Sequence, residues 1–153
     1  MRFLVQRVKK ASVTAEDTIV GKIEKGYLVF VGVSPTDTMA IADKMVKKLV
    51  GLRIFEDEDG KTNLDMRAVN AQMLVISQFT LYADCRKGNR PSFTDAAAPA
   101  AAEELYQYIL QKCRQEIAIV EEGVFGADMK VDLINDGPFT IIMDSDTLFS
   151  PRG

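Results

Sequence analysis

The run Tyr27 to Val33, "YLVFVGV", is apolar at every position. A strand of this kind has no polar face to turn to water, so both of its faces need cover. The chain around it reads strands, helix, strands, helix, strands, and it supplies only two amphipathic helices. Two helices cannot cover both faces of that much strand surface, so a second sheet or a partner subunit buries the rest. At 153 residues the chain fills one core and is too short for two typical domains. It shows neither repeat nor linker. The expected fold class is therefore α/β: a single three-layer α/β/β domain over residues 1–153, with mixed sheets and two main helices.

Residues 2–8 alternate loosely between apolar and polar. Residues 11–33 then supply two or three short strands, separated by Glu16-Asp17 and by Glu24-Lys25-Gly26. In "SPTDTMAIADKMVKKLVGL", Ser34 is the expected N-cap, with Pro35 at the first helical position and Asp37 in the first turn. Met39, Ala42, Met45 or Val46, and Leu49 form the apolar stripe of that helix. Lys44, Lys47 and Lys48 face outward; a solvated face is the plain reading and contact with phosphate the sharper one. "RIFEDEDGKTN" reads as a short strand entering an acidic turn at Asp59-Gly60, without the spacing of a calcium loop. "AQMLVISQFTLYADC" reads as a strand with Ser77, Gln78 and Thr80 interrupting it. A polar loop follows, and then a second helix with Leu105, Ile109, Cys113 and Ile117 along one stripe.

Composition removes several function classes. The chain has no histidine, so a Ser-His or Cys-His relay and a His-ligated zinc are excluded. Two cysteines, Cys85 and Cys113, form no disulfide framework and fit no metal motif, which suggests a reducing, cytoplasmic setting. Cys113 reads as a small buried hydrophobe and Cys85 as a bystander. The net charge of −3 argues against non-specific nucleic-acid binding, so a nucleic-acid partner would have to meet a local basic patch. The first residues carry charge inside their apolar run, unlike a signal-peptide core. Nothing approaches the roughly 18 uninterrupted apolar residues of a membrane span.

Two stretches carry candidate chemistry. In "SQFTLY", polar groups within an apolar strand cost about 1–3 kcal/mol each if buried unpaired. Ser77, Gln78 and Thr80 therefore either close the strand end with local hydrogen bonds or face a substrate, where hydroxyls, an amide and backbone N–H groups hold an oxyanion. In "LINDGPFTIIM", Gly137-Pro138 sits in the middle of a strand, where Pro has no N–H for the ladder and Gly weakens it. The pair is either a bulge or turn, or a place where backbone approaches a ligand closely, with Pro stiffening it, potentially through a cis bond.

Together, "SQFTLY" and "NDGPFT" resemble the two signature motifs of the bacterial and eukaryotic D-aminoacyl-tRNA deacylases. The resemblance extends over "MRFLVQRV", "ADCRKGNRPSF" and "GVFGADMKVDLINDGP", nearly the whole chain. Phe139 departs from it, standing where a smaller apolar residue, often Val, is expected.

The resemblance implies hydrolysis of the ester between a D-amino acid and the terminal ribose of tRNA. It also implies a homodimer, joined through its strands, with the active site at the subunit interface. The Gly-Pro bond would be cis and would enter the partner's pocket as the chiral selector, which assigns Gly137 and Pro138 to that role. Ser77, Gln78, Phe79 and Thr80 would line the catalytic pocket, with Phe125 and Met129 as its walls. Arg7 would orient the selector's carbonyls. No cofactor or metal is called for, and the partner is the 3′ end of an aminoacyl-tRNA.

The selector has a physical rationale. D- and L-residues carry the same groups and differ in where the side chain leaves Cα. A rigid backbone wall against Cα excludes the L-arrangement whatever the side chain. Glycine has nothing to clash, so glycyl-tRNA should enter too. The absent histidines fit a reaction in which the ribose 2′-OH helps activate water. A Thr80 nucleophile ranks second, because no histidine can serve it and Lys is the only conventional base to stand in. A reading from another class is a non-catalytic, dimeric nucleic-acid-binding module. For either, Lys9, Lys10, Arg86, Lys87 and Arg90 are the candidate basic rim.

Overall fold

The computed structural model describes residues 1–150; residues 151–153, the last of the expected domain, lie outside the described residues. The strands are β1 (Arg2–Ala15), β2 (Thr18–Ile23), β3 (Gly26–Gly32), β4 (Phe55–Glu56), β5 (Thr62–Leu64), β6 (Gln72–Ser77), β7 (Val120–Glu122) and β8 (Met129–Asp144). The helices are α1 (Met39–Gly51), α2 (Pro99–Glu116) and the four-residue α3 (Ser145–Leu148). The main sheet runs β2-β1-β3-β6-β7, with β8 on the other side of β1. It is mixed, because β3, β6 and β7 are parallel while β1 pairs antiparallel to β2, β3 and β8.

The apolar run that opened the problem is covered on both faces, as expected. Tyr27, Val29 and Val31 point into the core shared with the helices, beside Met73 and Val75 of β6. Leu28 of β3 with Leu74 and Ile76 of β6 point the other way, into a second core with Val8, Ala11, Val13 and Ile23. The third layer is thus made by β2 and the second half of β1, folded back over β3 and β6. It belongs to the same hydrogen-bonded network rather than to a separate sheet. The fold-over is close: a Cβ on Gly21 of β2 would lie 2.7 Å from the carbonyl oxygen of Glu122 in β7.

Local expectations needed correction at four places. β1 is one strand of 14 residues, where loose alternation over residues 2–8 and separate short strands from residue 11 were expected. Its register with β8 shifts on either side of Val8, a bulge that bends the strand. α1 starts at Met39 behind an N-cap at Thr38, whose hydroxyl accepts from the Ile41 N–H at 3.2 Å. Ser34 cannot cap it, because Asp37 closes a turn on Ser34: Asp37 Oδ2 accepts the Ser34 N–H at 2.7 Å and Oδ1 the Met1 ammonium at 2.8 Å. Met39 is exposed, and the apolar stripe of α1 is Ala42, Met45, Val46, Leu49 and Val50. The strand through "SQFTLY" ends at Ser77 and passes into a 3₁₀ turn at Phe79–Tyr82.

In α2 the expected stripe of Leu105, Ile109 and Cys113 is buried, and Ile117 caps the end. The Tyr106 hydroxyl donates to the Val75 carbonyl at 2.7 Å and ties α2 to β6. The acidic turn is a hairpin between β4 and β5, in which the Asp57 carboxylate accepts the N–H groups of Asp59 and Lys61 at 2.9 and 3.0 Å. No helix among the described residues is long and apolar enough to cross a membrane.

Candidate active site

The carboxyl ends of parallel strands, where the chain leaves the sheet, are where α/β proteins open a crevice. Here β3 and β6 end side by side, with Val31 paired to Ser77 and the Gln78 N–H donating to the Val31 carbonyl at 2.8 Å. A cavity of about 590 Å³ opens at this point. Ile76, Ser77, Gln78 and Phe79 form one wall and Phe125 to Met129 another. The loop before α2 closes the third through Phe93 and Ala97. The surface is largely hydrocarbon. Among the described residues Asp128 is the only ionisable side chain on it, and it pairs with Lys130 at 2.8 Å.

The structure therefore brings five of the expected residues together. Ser77 and Gln78 are half-buried at the strand end, and Phe79 is exposed, its ring edge-on to Phe93 at 5.1 Å. Phe125 is tilted against Tyr106 at 6.0 Å between centroids, which fixes it as a wall. Met129 is held through its sulfur, which accepts the Val124 N–H at 3.4 Å. Thr80 does not line the cavity; it is exposed in the 3₁₀ turn, and its hydroxyl accepts from Gln78 Nε2. The first N–H groups of such a turn have no acceptor within it, and here they belong to Phe79 and Thr80.

Arg7, Gly137 and Pro138 assemble elsewhere on the same chain, at the middle of β8. Between the paired positions Gln6↔Thr140 and Val8↔Asn135, the four residues Asp136 to Phe139 oppose Arg7 alone. They form a protrusion, with the Gly137–Pro138 peptide bond cis and both residues exposed. A side chain at Gly137 would force the backbone to shift, since a Cβ there would lie 2.0 Å from the Phe139 nitrogen.

Two side chains, those of Arg7 and Asn135, hold the protrusion. The Arg7 side chain is buried, its Nε donates to the Asp136 carbonyl at 2.8 Å, and its Nη1 donates to the Ile54 carbonyl at 2.6 Å. Its guanidinium lies over the Phe139 ring at 4.3 Å from the centroid, an arrangement worth about 0.5–2 kcal/mol. Asn135 accepts the Phe139 N–H at 2.9 Å and donates to the Phe139 carbonyl at 2.9 Å, pinching the base of the loop.

Asn135, Ile54 and Phe93 were not singled out from sequence. Asn135 carries a local signal, an amide at the foot of a Gly-Pro turn; Ile54 contributes only a carbonyl and has none. Of the expected basic rim, Arg86 is tied to Asp84 by bonds of 2.9 and 2.8 Å, which hold that carboxyl down at about 2. Lys9, Lys10, Lys87 and Arg90 are exposed.

Fold and cavity define the class: a mixed-sheet α/β protein with an apolar pocket at the ends of parallel strands and a braced backbone protrusion on its edge strand. A sequence profile described as D-Tyr-tRNA(Tyr) deacylase matches residues 4–144. A D-aminoacyl-tRNA deacylase of Thermotoga petrophila is 52% identical over 149 residues, covering 97% of this chain and 100% of that one. One from Thermosipho melanesiensis is 50% identical over 150 residues, with the same coverage of 97% and 100%. The chain belongs to the D-Tyr-tRNA(Tyr) deacylase family. Among solved structures, one named c-Myc DNA Unwinding Element Binding Protein superposes with a TM-score of 0.90 at 37% identity, covering 99% of this chain and 100% of that one. A probable eukaryotic D-amino acid tRNA deacylase, at 17% identity and a TM-score of 0.82 over 93% and 97% of the two chains, shares the fold.

Proposed function

We propose that this chain, a D-aminoacyl-tRNA deacylase by family, hydrolyses D-aminoacyl and glycyl esters of tRNA in a pocket completed by a second copy of itself. The observation that carries this reading is a separation. The lining of the cavity with Ser77, Gln78 and Phe79 does not include Gly137 or Pro138, which stand exposed on a braced protrusion of the same chain. A homodimer that inserts one protomer's protrusion into its partner's cavity brings the two together. β8 favours such pairing: it is an edge strand, and Leu133, Ile134 and Ile142 flank the protrusion as exposed apolar side chains.

In this pocket the aminoacyl ester lies along the end of β6. The Phe79 N–H, with the Gln78 amide, holds the carbonyl oxygen as negative charge develops on it. The ribose 2′-OH orients a water that attacks the carbonyl carbon. The ester C–O bond breaks, the ribose 3′ oxygen takes a proton, and the D-amino acid leaves. The protein positions and polarises, consistent with a cavity whose one ionisable side chain is an exposed, paired aspartate. Gly137 and Pro138 of the second copy stand against the substrate Cα, so an L side chain collides with backbone and a glycyl residue passes.

The test is hydrolysis of matched D-, L- and glycyl-tRNA esters by the purified protein without added metal. Cleavage of the D- and glycyl esters with the L-ester spared supports the reading. Cleavage of both enantiomers removes the selector, and cleavage of none favours a non-catalytic nucleic-acid-binding module. The name of the 37% identical structure gives that second reading its support. Sedimentation at several concentrations reads the dimer.

A further inference from the structure

The exposed face of α1 carries a second concavity, of about 490 Å³, remote from the cavity at the end of β6. Lys44, Lys47 and Lys48 line it together with Arg53, and Phe149 closes one side. Among the described residues no carboxylate lines it. We propose that this groove grips the ribose–phosphate backbone of the RNA whose 3′ end enters the active site.

What sets these charges apart is that they gather in one groove. Arg67, Arg86, Arg114 and Lys130 each lie within 4.0 Å of a carboxylate. Lys44, Lys47 and Lys48 have no such partner among the described residues. The nearest acid in sequence, Asp43, is engaged by α2, where the Tyr108 hydroxyl donates to it at 2.6 Å and Lys112 lies at 3.7 Å. In a chain of net charge −3, a pocket of four cations and no acid is a strong local departure.

The negative end of the helix dipole explains a lysine in the last turn of α1, such as Lys48. It does not explain Lys44, whose ammonium lies 5.5 Å from the Phe149 ring centroid, or Arg53 beyond the helix. Arg53 is preset by Asn63, whose carbonyl accepts its Nε–H at 2.7 Å.

A groove of several cations in a row suits a polyanion better than a single phosphate. Lys44 and Lys48, four residues apart, are separated by about 6 Å along the helix axis. The half-exposed Phe149 ring offers the face against which a base or ribose packs. The site is concave, which fits a strand of RNA rather than a flat lipid surface. α1 is about 20 Å long and follows the carboxyl end of β3 by a short connection, so one RNA molecule can reach both sites. The inference rests on the RNA substrate proposed above.

The experiment measures binding of deacylated tRNA across a series of KCl concentrations, for the wild-type protein and for Lys44→Gln/Lys47→Gln/Lys48→Gln. Each phosphate contact contributes roughly 0.7–0.9 to the slope of log affinity against log salt. The triple variant is expected to bind at least about tenfold more weakly, with the slope reduced by about 2 to 3. If the triple variant melts early, Lys44→Gln alone is expected to reduce the slope by about 1. Unchanged affinity and slope overturn the proposal. If the same variant instead loses binding to phosphatidylserine vesicles, the groove is a membrane contact and the proposal likewise falls. Hydrolysis of a D-aminoacylated acceptor-end oligonucleotide is measured in parallel. Ester cleavage with an unchanged slope removes the groove and leaves the deacylase; a salt-sensitive groove without ester cleavage does the reverse.

Discussion

Arg7 Nε donates to the carbonyl oxygen of Asp136 at 2.8 Å, one residue before Gly137, and so joins the middle of β1 to the protrusion on β8. The same guanidinium reaches Ile54 from Nη1 at 2.6 Å, which ties the Gly137-Pro138 protrusion to the segment leaving α1. A lysine keeps the charge but cannot bridge two carbonyls in a fixed plane. Arg7→Lys should cost about 2–4 kcal/mol, because a buried carbonyl loses its charged donor. For a domain of this size that is a fall in Tm of about 5–15 °C. The ratio of D- to L-ester hydrolysis should also fall by at least about tenfold. A variant that melts early yet keeps full chirality would mean that Arg7 is structural only.

Gly137 has no room for a side chain. With the Phe139 nitrogen 2.0 Å from any Cβ, Gly137→Ala must move backbone rather than a rotamer. The loop is exposed, so the fold absorbs the change. We expect a Tm within about 5 °C of wild type and a clear rise in L-ester cleavage or loss of D-ester cleavage. Enantiomer-resolved rates on the two esters read the outcome directly.

Phe139 packs its ring beneath the Arg7 guanidinium. Phe139→Val, which restores the residue expected from the family resemblance, removes that contact. The expected loss is about 0.5–2 kcal/mol in thermal melts, with D/L discrimination retained because the carbonyl bonds of Arg7 remain. A collapse of chirality in this variant would make Phe139 part of the selector itself.

Burial pushes the Cys113 thiol up from 9.0 to about 12, whereas Cys85 is exposed. Below pH 9 Cys113 is protonated in both the folded and the unfolded chain and has no effect on stability through titration. As pH rises between about 9 and 12 the unfolded chain loses the proton first, so stability declines across that window. Burial raises Tyr27 and Tyr106 in the same direction. Melting temperature should fall progressively above pH 9, less steeply in Cys113→Ala. An aromatic disulfide reagent at pH 8 should titrate one thiol in the native protein and two in denaturant.

The legible parts of the fold were those fixed by local pattern. The unbroken apolar run of β3 called for cover on both faces, and its residues do alternate between two cores. The stripe of α2 was readable because its neighbours share one face. The parts that were not legible depend on distant partners. Ser34 and Asp37 carry every local mark of a helix start, yet Asp37 is claimed by the Met1 ammonium, 36 residues away in sequence. Residues 2–8 read apart from the strands that begin at Ala11, and only pairing with β8 shows one long strand with a bulge at Val8. In the site, Ser77 and Gln78 announced themselves as polar groups in an apolar run. Phe93, an ordinary loop aromatic in sequence, lines the cavity only because the loop before α2 folds over it.

The two hydroxyl-centred mechanisms separate at Thr80. Its hydroxyl lies in an exposed turn, outside the cavity lining, and its partner is the Gln78 side-chain amide, which donates to it and cannot take its proton. A nucleophile needs a base within hydrogen-bond reach, and the chain has no histidine to supply one. Thr80→Ala should therefore keep D-ester hydrolysis within about tenfold of wild type, the loss reflecting a less well held Gln78. A substrate whose terminal adenosine lacks the 2′-OH should instead lose at least about a hundredfold, the lower end of what a positioned acid–base group contributes. The reverse pattern, an inert Thr80→Ala with its fold intact and a deoxy substrate cleaved at full rate, would transfer the chemistry from the RNA to the threonine.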